Sequence, residues 1–133
     1  MLFRSLPARI KAMGDPYEDQ LLAHAKALAD RLGLADWMFV FQSAGASPEP
    51  WLGPAIEDVI PRLATEGYRR LLVVPTGFVC DHVEILYDVD LEAKALAAEH
   101  GIELARTESM NTSPPFISAL ADAVLIEKPE TLP

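Results

Sequence analysis

The chain has 133 residues, half of them apolar and 23% charged, with a formal net charge of -9. That length suits one domain with a real core, and the balance excludes a disordered or collagen-like chain. The acidic excess argues against nucleic acid as a partner, because affinity for a phosphate backbone comes from clustered Lys and Arg releasing counterions.

The run Gly14-Asp15-Pro16-Tyr17-Glu18 predicts a helix start. Asp15 is the expected N-cap, Pro16 takes the first helical position, and Glu18 closes a capping box. Leu21, Leu22, Ala25, Leu28, Ala29 and Leu32 carry the helix forward at helical spacing, and Gly33 ends it. Residues 37–41 form a continuous apolar run, as a buried parallel strand requires. A second helix is expected to begin within residues 51–54 and to end near Gly67, with Ile56, Val59, Ile60 and Leu63 on its core face and Pro61 as an interruption. Residues 71–75 give the clearest strand. A long helix follows from about His82 to His100, closed by Gly101; residues 102–105 make a short strand; Ser113-Pro114 opens a last helix through Ile117, Leu120, Ala121, Val124 and Leu125.

Strands alternating with helices ask for right-handed crossovers, hence a doubly wound parallel α/β sheet with helices on both faces. The expected organisation is one α/β domain over residues 1–127 and a frayed tail at 128–133. Ligands of such sheets bind beyond the carboxyl ends of the strands. The loops at 43–50, 76–82 and 107–113 fall there. No apolar run approaches the roughly 20 residues of a membrane span, and the first residues carry no signal-peptide pattern, so the cytoplasm is the expected compartment. The single cysteine, Cys80, cannot form an internal disulfide and reads as a small buried residue. His24 within a helix and His100 at a helix end read as structural.

The helix after His82 carries the chemistry. At about 100° per residue, Asp88 lies about 40° and Glu92 about 80° from Glu84, with Asp81 and Glu99 near 60°. Five carboxylates thus share one face, bordering the apolar positions Ile85, Leu86, Val89, Ala93 and Leu96. Capping and the helix dipole account for Asp81 and Glu84 without any function. They do not account for Asp88 and Glu92, and a row of hard oxygen ligands can serve as a track for a divalent cation. His82 stands at the rim two residues before Glu84, where an imidazole beside a carboxylate can bind ferrous iron or act as a base.

Three stretches carry a family resemblance: Gly14-Asp15-Pro16-Tyr17; Gln42-Ser43 with Pro50-Trp51-Leu52-Gly53-Pro54; and Pro75-Thr76-Gly77-Phe78-Val79-Cys80-Asp81-His82-Val83-Glu84-Ile85-Leu86-Tyr87-Asp88. Met110-Asn111 and Pro115-Phe116-Ile117 extend it toward the end of the chain. Together they resemble the C-terminal lobe of a ferrochelatase, nearest the short bacterial enzymes that act on coproporphyrin. The resemblance implies insertion of ferrous iron into a porphyrin in haem synthesis, with no organic cofactor. It places Glu84 and His82 at the insertion site, Asp88 and Glu92 beside it as a second divalent-cation site or proton path, and Ser43 and Trp51 along the porphyrin cleft. It also implies a second lobe, supplied by an N-terminal half or, as in half-size chelatases that load cobalt or nickel into sirohydrochlorin-type rings, by a homodimer. A non-catalytic lobe that holds metal or tetrapyrrole is the alternative. In one position the chain departs from the family, which carries a His before Ser5-Leu6-Pro7 where this sequence has Arg4. A guanidinium keeps its proton and cannot ligate iron.

Overall fold

The computed structural model describes residues 1–45 and 47–126; the expected tail at 128–133 lies outside them. Four parallel strands form two hydrogen-bonded pairs. β1 (Leu2–Arg4) pairs with β2 (Val40–Gln42), and β3 (Arg70–Val73) with β4 (Glu103–Arg106). The Leu2 N–H donates to Val74 O at 2.9 Å and the Gly77 N–H to Leu2 O at 3.4 Å, which sets β1 beside the end of β3. The lateral order is therefore β2-β1-β3-β4, and the reversal between β1 and β3 is a topological switch point.

Alternation along β1 and β2 explains the layers. Leu2 and Val40 face one core with Ile60, Ile85, Val89 and Ile102, while Phe3 and Phe41 face a second with Ala25, Ala29 and Leu52. The second core is closed by α1 (Tyr17–Leu32), and the first by α2 (Ile56–Thr65), a π-helix (Ile85–Ala93) and α3 (Lys94–Glu99). Ile85 and Val89 are wholly buried, each contributing about 1.5–3 kcal/mol relative to exposure.

Several boundaries differ from the sequence expectation, each for a local reason. β1 and the 3-10 turn Ala8–Met13 were not foreseen, because three-residue strands carry too little pattern to detect. β2 begins at Val40, and residues 37–39 approach it half-buried without pairing. β4 ends one residue later than expected, at Arg106. Asp15 does accept the Tyr17 N–H, at 2.9 Å, but Glu18 turns to Lys11 and closes no capping box. The second helix starts at Ile56, later than expected, since residues 50–55 are tied to distant backbone in a non-helical path: Leu52 N–H donates to Leu6 O and Phe41 N–H to Pro54 O. Pro54 disfavours helical backbone at Gly53. Pro61 lies inside α2 without ending it. Cys80 is exposed rather than buried.

The long helix differs most. Its first half is π-helical, a rare geometry that occurs frequently at functional sites. Nor does Asp81 cap it. The Asp81 carboxylate accepts from Arg106 Nη1 at 3.2 Å, Ser109 Oγ at 2.7 Å and Asn111 Nδ2 at 3.0 Å. Arg106 meanwhile grips Asp90 of the π-helix through Nε at 3.0 Å and Nη2 at 2.8 Å, with only 12% of its side chain exposed. α4 (Pro114–Ile126) forms as expected, yet none of its residues is buried.

The Arg106 bonds hold the Asp90 carboxyl below the usual range, with help from Lys94. Hydrogen bonds from Asn111 and Ser109, then Arg106, do the same for Asp81. A depressed carboxyl stabilises the fold above its unfolded value and loses that contribution as pH falls through the folded one. Arg106→Ala should therefore lower the urea midpoint at pH 7. The gap from the wild type should close as the pH is lowered from about 4.

Candidate functional site

The carboxyl ends of β1 and β2 deliver Arg4 and Gln42 side by side, in register, on the face toward the π-helix. Glu84, one residue before that helix, meets Arg4. Arg4 Nε lies 3.1 and 3.4 Å from the two Glu84 oxygens, and Nη2 lies 3.3 Å from Oε1. The pair is half-open to water, the two side chains being 41% and 34% exposed. The Glu84 hydrogen bonds are the main reason that the Arg4 guanidinium is held above its ordinary value, and Asp88 adds to the effect. Tyr17 fixes the backbone here by donating its hydroxyl to Arg4 O at 2.9 Å.

One turn on, Asp88 accepts a hydrogen bond from Ser43 Oγ. Ser43 sits in the left-handed region at φ 55°, which costs a non-glycine residue roughly 1–2 kcal/mol. Gln42 Nε2 donates to the same hydroxyl at 3.3 Å. Glu92 is exposed, on the side facing α2, where Glu57 was missed by sequence reasoning. Partial withdrawal from water raises the Glu57 carboxyl, and repulsion from Asp88, Asp58 and Glu92 adds to the rise. Its position in the first turn of α2 is that of an ordinary helix-dipole partner, so nothing local singles it out.

The five-carboxylate face thus reduces to Glu84, Asp88 and Glu92. Asp81 precedes the helix and is bound to Arg106, while Glu99 lies in α3 beyond the wider π-turns, where an α-helical wheel no longer holds phase. Residues 84, 88 and 92 border the buried series Ile85, Val89 and Ala93, so core packing aims the row at the strand ends. His82 packs on Phe78, with ring centroids 4.7 Å apart. No hydrogen bond joins His82 to Glu84 among the described residues. The buried His82 Nε2, Thr76 Oγ1 and Gln42 Oε1 have no partner there.

Trp51 stands across the Ser43 loop, held by a 3.2 Å hydrogen bond from Nε1 to Ser47 Oγ. Gly45 is required beneath it, since a Cβ at that position would lie 2.4 Å from the indole ring. An apolar cavity of about 310 Å³ opens at the opposite, amino ends of the strands, among Trp37, Met38, Tyr68 and Leu71, and holds none of the candidate residues. Among the described residues, no three His, Cys, Asp or Glu side chains are arranged to hold a metal ion. Glu84, Asp88 and Glu92 are thus not drawn together here as a three-ligand cation site.

A raised carboxyl destabilises the fold as pH rises through its folded value. Glu57→Gln should therefore raise the melting temperature at pH 7, only modestly because the side chain is exposed and water screens the repulsion, and leave it unchanged at pH 4. Thermal melts at the two pH values read the difference.

A sequence profile described as Ferrochelatase matches residues 1–128. The ferrochelatase of Herpetosiphon aurantiacus is 51% identical over 120 residues, covering 90% of this chain and 39% of that protein. The coproporphyrin III ferrochelatase of Bacillus subtilis is 45% identical over 122 residues, covering 91% and 39%. The chain thus spans about 39% of the length of these curated relatives. A solved structure, that of a putative cobalamin (vitamin B12) biosynthesis CbiX protein from Marinobacter aquaeolei VT8, aligns with a TM-score of 0.52 at 20% identity, over 81% of this chain and 85% of that one. It shares the α/β fold of parallel strands and flanking helices. Sequence likeness across nearly all of its residues establishes that this chain belongs to the ferrochelatase family.

Proposed function

We propose that the chain is the C-terminal lobe of a ferrochelatase-type site and carries the carboxylate side of the reaction that exchanges two pyrrole protons of a porphyrin for ferrous iron. The observation that supports this most is the placement of Glu84, Asp88 and Glu92 in a row that begins at the switch point between β1 and β3. Balanced chemistry sets what the row must do. One Fe2+ enters the ring, two protons leave it, and a carboxylate within reach accepts them. Glu84 stands at the strand ends as that acceptor, and Asp88 and Glu92 lead outward to solvent. His82, whose buried Nε2 lacks a partner, is the second candidate base. Ser43 and Trp51 offer one wall of the cleft, the indole supplying a broad apolar face.

One lobe gives half a cleft. The porphyrin is enclosed when a second lobe, from the same protein or another copy, closes over the Trp51 wall. A second reading, a lobe that binds tetrapyrrole without turnover, is favoured by one observation: Arg4 holds Glu84 through both oxygens.

Coproporphyrin III should quench on addition of the protein, and sedimentation should show the porphyrin shared between two lobes. Trp51→Ala should weaken that binding about tenfold through lost aromatic contact. Porphyrin fluorescence left untouched between pH 6 and 9 even with the second lobe supplied would rule the reading out. Anaerobic iron insertion with the second lobe supplied separates the two readings. Turnover lowered at least tenfold by Asp88→Asn with Glu92→Gln supports the enzyme, and porphyrin binding with no turnover supports the binding lobe.

A further inference from the structure

We propose that Arg4 is a resident cation at Glu84, which keeps this carboxylate closed to divalent metal while the guanidinium is seated. The inference rests on the reading of Glu84 as the metal-facing carboxylate. Three contacts between 3.1 and 3.4 Å place two guanidinium nitrogens against both oxygens of one carboxylate, the arrangement that satisfies it most fully. A divalent cation would need those same lone pairs and would stand beside a fixed positive charge. Neighbouring groups do not relieve the competition. The Asp88 carboxylate is engaged by Ser43, and His82 is turned against Phe78.

The Arg4 backbone cannot drift away to release the site. It lies in β1, paired in register with Gln42, and its carbonyl accepts the Tyr17 hydroxyl. Only the side chain is free to move, and its 41% exposure gives it water to move into. The contact is thus a removable block, unlike the 12%-exposed Arg106. Metal reaches Glu84 when the guanidinium swings outward or is replaced by a side chain without permanent charge.

Titration with Co2+ alone, read by its visible absorption and by calorimetry, tests this on the wild type, Arg4→His and Arg4→Gln. Each is also compared in a Glu84→Gln background, with circular dichroism to confirm folding. Arg4→His should bind at least tenfold more tightly than wild type and Arg4→Gln severalfold more tightly. Glu84→Gln should erase both gains while leaving the wild-type affinity unchanged. Affinity equal to wild type in both Arg4 variants, whether measurable or not, overturns the proposal, as does a gain that survives Glu84→Gln. Porphyrin quenching followed on the same samples keeps the two readings apart. Its absence removes the ferrochelatase-type function, whereas quenching retained with no metal gain removes only the role of Arg4.

Discussion

The Arg106 guanidinium is the contact on which the geometry of the site depends. It reaches from the end of β4 to Asp90 within the π-helix and to Asp81 ahead of it, and so ties both sides of Glu84 to the sheet. Its depth in the structure matters: with little water nearby, its five donors have no comparable alternative partners. Ser109 and Asn111 complete the clasp around Asp81, and Asn111 adopts a left-handed backbone at φ 44° to do so. Once the start of the π-helix is anchored, burial of Ile85, Val89 and Ala93 fixes its rotation. The carboxylates one residue earlier in each turn then have a single direction to face.

Two arginines consequently do opposite things with the same chemistry. Arg106 satisfies carboxylates that no ligand could use, because the clasp is closed by neighbouring hydroxyl and amide groups. Arg4 satisfies a carboxylate at the open edge of the strands, where the attraction is screened and a surface pair is worth no more than about 1 kcal/mol. The first is a structural pin, the second an exchangeable counterion. Ser43 belongs with Arg4: it holds Asp88 by a single contact from a backbone that is itself strained, so both inner carboxylates have partners that can be displaced.

The fold was legible where periodicity was long. α1 and α4, the core face of α2 and the alternation of strands with helices after α1 all followed from apolar spacing. Elements three residues long and the start of α2 were not legible, since a short strand has no period and residues 50–55 are ordered by distant hydrogen bonds to Leu6 and Phe41. The carboxylate row was visible because a spacing of four survives in both α- and π-geometry. Its extension to Asp81 and Glu99 was an artefact of assuming one pitch throughout. The resemblance set Arg4 in the place of a family His, but its ion pair with Glu84 was not legible: the two are 80 residues apart, and nothing local distinguishes a salt-bridged arginine from a solvated one. Glu57 was hidden for the same reason, its neighbours being on another helix.

α4 carries a different implication. Its thirteen residues are mostly apolar, and Val124 and Ile126 are 71% and 82% exposed. A helix of that length, standing alone in water, has barely enough internal hydrogen bonds to offset its nucleation cost, and burial contributes almost nothing to it here. Packing within the described residues thus supports it little, while the strands and the π-helix owe their order to burial. The lobe accordingly has two tiers of cooperativity, a core that opens only with global unfolding and a terminal helix whose amides exchange through local fraying.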